Sequence, residues 1–152
     1  MNSSSRGIRN NNPFNIKKSK HPWIGKVNGN DPTFECFDNM YHGIRAGMKL
    51  LINYVERGFD TPEKIIKRFA PCNENNVSNY VDFVCRNFRD IYYITPSTRI
   101  TSLSVLCIFA SRMAKYECAL SYPQLANYML LSADLVSICN KFNLNKHGIL
   151  TD

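Results

Sequence analysis

Apolar positions along this chain change their period near residue 38. Before it, residues 10–37 mix short apolar fragments with Asn, Pro and Gly. Val27-Asn28-Gly29-Asn30-Asp31 carries Asn-Gly, a dipeptide suited to the positive φ angles of a tight hairpin turn. Thr33 to Phe37 reads as the return strand. From Asp38 onward the apolar spacing becomes three and four. Asp38 or Asn39 caps a helix predicted to reach about Arg57, with Met40, Ile44, Met48, Leu51 and Val55 on its buried stripe and Gly58 as its stop. Thr61-Pro62-Glu63 reads as cap, first helical residue and favourable first-turn acid of a short helix over 63–69. Ser78 starts another, with Val81, Val84, Cys85 and Phe88 on one face. Residues 90–99 form a connection broken by Pro96. Thr101 or Ser102 caps a helix to about Glu117, whose apolar face is Leu103, Leu106, Cys107, Ala110, Met113 and Ala114. Pro123 opens a last helix to about Phe142. Residues 1–9 read as a flexible leader and 143–152 as a loose tail. The pattern predicts one mainly α (α+β) domain over residues 10–142, with a small β-hairpin near the N-terminus.

Composition fits that picture. A chain of 152 residues with 44% hydrophobic and 20% charged residues can bury a real core and is no disordered polymer. No apolar run approaches the eighteen residues of a membrane span. Met1 to Asn12 lacks the apolar stretch of a secretory signal, so synthesis in the cytoplasm without a signal peptide is expected. The net charge of +7 is unevenly placed: Arg6, Arg9, Lys17, Lys18, Lys20 and Lys26 fall in residues 1–30, which hold no acid. That end suits an anionic partner such as nucleic acid, a bacterial wall or a membrane surface, or simply aids solubility. Six cysteines form no close pair, and with no signal peptide they are expected as reduced core thiols. His21, His42 and His147 show no ligand spacing with them, so neither metal nor cofactor is expected. Phosphate-loop and nucleophile-elbow patterns are absent.

Carboxylates remain as candidate chemistry. Glu56 and Glu63 are explained by solvation and helix-dipole effects. Glu35 alternates with Phe34 and is expected to point outward. Glu117 differs, because counting back by three and four from it meets Met113, Ala114 and Ala110. It therefore extends the buried stripe of its helix. Desolvation there would raise its pKa, as a general acid at neutral pH requires. The plainer role is an acid at a fraying helix end, paired with Lys115 or Arg112. Glu74 sits in Pro71-Cys72-Asn73-Glu74-Asn75-Asn76, read as a loop between helices, and is either a second catalytic acid or a turn carboxylate.

The stretch Arg6-Gly7-Ile8-Arg9-Asn10-Asn11-Asn12-Pro13-Phe14-Asn15-Ile16 resembles the RGIRNNNPGNI opening of small phage-encoded proteins described as virion structural or lysozyme-like. The likeness continues through Trp23-Ile24-Gly25, Gly43-Ile44-Arg45-Ala46, Phe69-Ala70-Pro71, Glu74-Asn75 and Tyr80. Two departures stand out. Phe14 replaces the family's Gly, and Glu117-Cys118-Ala119 replaces its Glu-Asn-Gly. The Asn segment also resembles the NNLFGIK stretch of wall-degrading glucosaminidases, where the catalytic Glu ends a helix preceding the Asn segment. Here the candidate helix follows it, so the resemblance implies a lysozyme-like fold in circularly permuted order, with Glu117 beside Asn10–Ile16.

The implied reaction is cleavage of the glycan strand of peptidoglycan, as a muramidase, glucosaminidase or lytic transglycosylase. Glu117 would be the acid. Glu74 or Asp31 would be the second group, unless a hydroxyl or acetamido group of the sugar itself assists. Asn11, Asn12 and Asn15 would hydrogen-bond the sugar, or serve only in turns. Trp23 and Tyr80 would present ring faces to it, or lie in the core. Such a bacteriolytic protein would be carried in a virion or released to reach the wall. Two rivals are a non-catalytic virion or wall-binding protein on the same fold, and a nucleic-acid-binding module. No recognised nucleic-acid motif supports the second.

Overall fold

The computed structural model describes residues 5–70, 74–85 and 93–120, with residues 74 and 75 described by their backbone alone. The expected last helix and loose tail lie outside these residues. Within them the order is α1 (Arg6–Arg9), β1 (Lys26–Val27), β2 (Cys36–Phe37), α2 (Met40–Glu56), α3 (Pro62–Phe69), α4 (Glu74–Val84) and α5 (Leu103–Cys118). The protein is mainly α with a small antiparallel hairpin near its N-terminus.

Side-chain caps fix where three of the helices start. Asn39, Thr61 and Ser102 each accept from the backbone N–H three residues on, satisfying a donor that the first turn leaves without a helical partner. The α2 stripe is buried at Ile44, Met48, Leu51 and Val55, and Gly58 follows the helix at φ +92°. α5 is the central element and packs against α1, α2 and α4. It is buried without interruption from Ile108 to Ala114, as expected of a helix covered on all sides. Arg112 lies within that run and donates to the Val84 carbonyl at 3.0 Å, tying α5 to the end of α4.

Three sequence expectations change near the N-terminus and before α4. First, residues 5–9 are not a loose leader. Ser5 caps the single turn of α1, and its hydroxyl donates to the Cys118 carbonyl at 3.0 Å. Gly7 is buried so close to α5 that a Cβ there would stand 2.9 Å from Cys118 Cβ. Second, β1 and β2 pair Lys26 with Phe37 and Val27 with Cys36, but residues 28–35 form a long excursion rather than a two-residue Asn-Gly turn. Asp31 organises the excursion by accepting from the Thr33 and Phe34 amides, both at 2.9 Å. The return segment also bonds on its other side, Lys18 N to Thr33 O and Glu35 N to Ile16 O. Glu35 consequently faces inward, 1% exposed, with Lys26 Nζ 3.0 Å away. Third, α4 begins at Glu74, not Ser78, so Glu74 opens a helix instead of lying in a loop.

The Asn segment sits flush on α2 because two glycines make room. A Cβ on Gly43 would stand 1.7 Å from the Asn11 carbonyl oxygen, and one on Gly47 would stand 2.1 Å from the Phe14 ring. Phe14, the departure from the family pattern, is fully buried over Gly47.

Candidate active-site cleft

The last turn of α5 projects Tyr116 and Glu117 toward the chain just after the Asn segment. Between them lies an open cleft of about 510 Å³. Asn15, Ile16, Lys17 and Phe34 form one wall. Leu50 and Tyr54 of α2, Phe69 and Ala70 at the end of α3, and Asn76 and Tyr80 of α4 complete it. The lining is mostly apolar and aromatic, with a few polar groups, the common make-up of a ligand site.

The resemblance implies Glu117 beside Asn10–Ile16, and Asn15 of that segment touches it. Asn15 Nδ2 donates to Glu117 Oε1 at 3.0 Å and to the Glu117 carbonyl at 3.3 Å. Asn15 reaches the acid because its backbone turns through the left-handed region at φ +50°, with its N–H bonded to Asn12 O. Asn tolerates that conformation better than most residues. Burial pushes the Glu117 carboxyl pKa up, and its contacts with the Asn15 amide and the Tyr80 hydroxyl only partly oppose this. The negative end of the α5 dipole disfavours the carboxylate further. Glu117 is therefore a half-buried acid that holds its proton above the ordinary carboxylate range. It is not a fraying end paired with a base: its amide partner is Asn15, and Arg112 turns to Val84 instead.

Tyr80 enters the cleft differently from the sugar platform expected of it. It is 3% exposed, and the Tyr116 ring stacks on it at 3.8 Å between centroids. Its hydroxyl faces Glu117 outside ordinary hydrogen-bond geometry, and burial together with that acid pushes the phenol well up. The open ring is Tyr116, 40% exposed and braced edge-on by Phe83. Sequence reasoning missed Tyr116, although its position one residue before Glu117 could have marked it.

The other named residues lie elsewhere. Asn12 is fully buried: its Nδ2 donates to Ile16 O and Glu35 O, and its Oδ1 accepts from Ile16 N. It is a turn residue with no amide left for a sugar. Asn11 sits at φ +53° and donates to Phe37 O at 3.0 Å, joining the Asn segment to the hairpin. Neither it nor Trp23, whose ring packs on His21, lines the cleft. Asp31 is excluded as a proton donor. Arg6 grips it with Nε and Nη2 at 2.6 and 2.7 Å, Asn10 adds a bond at 2.9 Å, and these hold its carboxyl far below the usual range. The Glu74 side chain lies outside the described residues. Among the described lining residues, Glu117 is the one acid. No cluster of three metal-ligating side chains occurs among the described residues.

The departures from Glu-Asn-Gly leave the helix end intact. Ala119 takes the left-handed conformation, φ +64°, that glycine adopts at many helix ends, and its N–H bonds back to Lys115 O. Cys118 is buried, and its Sγ donates to Pro13 O at 3.4 Å.

No family model matches the sequence. A phage protein does. Protein P5 of Pseudoalteromonas phage PM2 is 46% identical over 89 residues, which cover 55% of this chain and 56% of that protein. The chain thus spans about half the length of the curated relative it matches. The likeness is to a bacteriophage protein and is consistent with virion association. Among the described residues, no helix is long and apolar enough to cross a membrane.

Proposed function

We propose that this is a phage-type protein, lysozyme-like in its site, that cleaves the glycan strand of peptidoglycan with Glu117 as general acid. One observation carries the reading: a poorly hydrated carboxyl stands in an aromatic-lined cleft, oriented by the Asn15 amide. With its pKa raised by burial, Glu117 in its protonated form donates to the glycosidic oxygen as oxocarbenium-like charge develops on the departing ring. Asn15 then hydrogen-bonds the carboxylate left behind. The Tyr116 face and the neighbouring rings give the sugars an apolar floor. With one acid among the described lining residues, the second bond is formed by water or by the sugar's own hydroxyl or acetamido group.

The test is clearing of purified sacculi by pure protein, with mass spectrometry of the released muropeptides. Wild type should cut the glycan, and E117Q should retain its circular dichroism while losing cutting. Products short of one water would identify intramolecular closure, and hydrated products hydrolysis. Intact sacculi after incubation at acid and neutral pH would refute catalysis. The lack of a second described lining acid favours one alternative, a virion protein that binds the wall in this cleft without cleaving it. That protein would sediment with sacculi and release nothing.

A further inference from the structure

Two acids of the N-terminal segment, outside the cleft lining, are matched by bases. Asp31 is matched by Arg6, and Glu35 by Lys26. Lys17 is different: it is exposed, lies on the cleft wall, and has no carboxylate partner among the described residues. Backbone pairing of residue 17 with Phe34 fixes the main chain from which its side chain springs. Lys18 and Lys20 follow it on the same exposed stretch. Apart from Lys17, the described lining offers apolar and aromatic side chains, two asparagines and the half-buried Glu117. Lys17 is thus the one cation among the described lining residues.

On the reading that the cleft takes a glycan strand, we infer that Lys17 selects strands bearing carboxylates over neutral ones. The group it recognises is a carboxylate, which peptidoglycan carries either on the lactyl ether of a denuded strand or on the stem peptides of an intact one. An uncharged N-acetylglucosamine polymer offers neither. A lysine suits this task because its ammonium swings on a flexible stem and needs no fixed bidentate geometry. A half-solvated pair of this kind is worth roughly a five-fold change in affinity.

The experiment uses the full chain as E117Q, so that no probe is cut, with and without Lys17→Met. Binding is measured to intact sacculi, to amidase-denuded glycan and to chitin oligomers. E117Q should prefer the carboxylate-bearing probes, and Lys17→Met should weaken them roughly five-fold while leaving chitin unchanged. Lys17→Arg should restore the preference. Loss confined to denuded glycan identifies the lactyl group, and loss confined to sacculi identifies the stems. Equal binding of both carboxylate probes by E117Q and its Lys17→Met partner would overturn the inference and leave the cleft reading standing. Failure of E117Q to bind any of the three would overturn both.

Discussion

Replacing Gly43 with alanine tests the close seating of the Asn segment on α2, on which the cleft geometry rests. The added Cβ would stand 1.7 Å from Asn11 O, 2.8 Å from Asn11 C and 3.1 Å from Pro13 Cδ. The first of these is roughly 1.5 Å short of an ordinary non-bonded contact. Asn11 has little freedom to retreat, since its backbone is already left-handed and its amide is bonded to Phe37 O. Alanine gains about 1 kcal/mol over glycine in a helix interior. Against this stand overpacking, about 1–3 kcal/mol or more, and the weakening of two hydrogen bonds to Phe37, about 1 kcal/mol each. The net expectation is a loss of about 2–4 kcal/mol, or roughly 5–15 °C in melting temperature for a domain of this size. Urea and thermal unfolding measure it. Gly58→Ala is the control: its φ is +92° and no atom lies within 4 Å of the new Cβ, so only conformational strain of about 1 kcal/mol applies. A Gly43→Ala protein as stable as wild type would refute the seating described here.

Glu117→Gln should raise the melting temperature at neutral pH. A carboxyl whose pKa is raised by folding loses stability as pH climbs past its ordinary value, and glutamine does not titrate; the advantage should fade below the ordinary carboxyl range. Ala119→Gly should stabilise by about 0.5–1 kcal/mol, because glycine takes the left-handed cap without Cβ strain; a lower melting temperature would contradict that cap. Asn15→Gly keeps the positive φ and deletes the amide. The fold should survive while the alkaline limb of the cleavage–pH profile moves up, since a bond that lowers the Glu117 pKa is gone. Asp31→Asn should destabilise most at neutral pH. The contribution of Asp31 is complete above its unfolded pKa and is lost as pH falls toward its depressed folded value, so the gap should narrow in acid, as equilibrium unfolding at several pH values would record.

Elements whose order is local could be read from the chain. The α2 stripe and its Asn39 cap, the Thr61-Pro62 start of α3 and the Ser102 start of α5 are written in spacing and capping chemistry within a few residues. That Glu117 extends the buried stripe of α5 followed from the same arithmetic, whereas its place beside Asn15 came only from the resemblance. Features set by distant partners could not be read in this way. The order of α1 depends on Cys118 and Asp31, each far along the chain. Glu35 turns inward because Lys26 comes to lie over it. Asn11, Asn12 and Asn15 look alike in sequence, yet only Asn15 faces the acid; backbone geometry and the hairpin absorb the other two. Tyr80 and Tyr116 exchange roles for a similar reason, one ring covering the other.

The bonds from Ser5 to Cys118 and from Asn15 to Glu117 each close a loop of more than a hundred residues. Such long-range closures form late, after the entropy of bringing distant segments together has been overcome. A nascent chain still lacking α5 has neither the acid nor the wall that opposes it. On the proposed function, reactivity would arrive only on completion of the bundle, and a chain still lacking α5 would be inert in the cell that makes it.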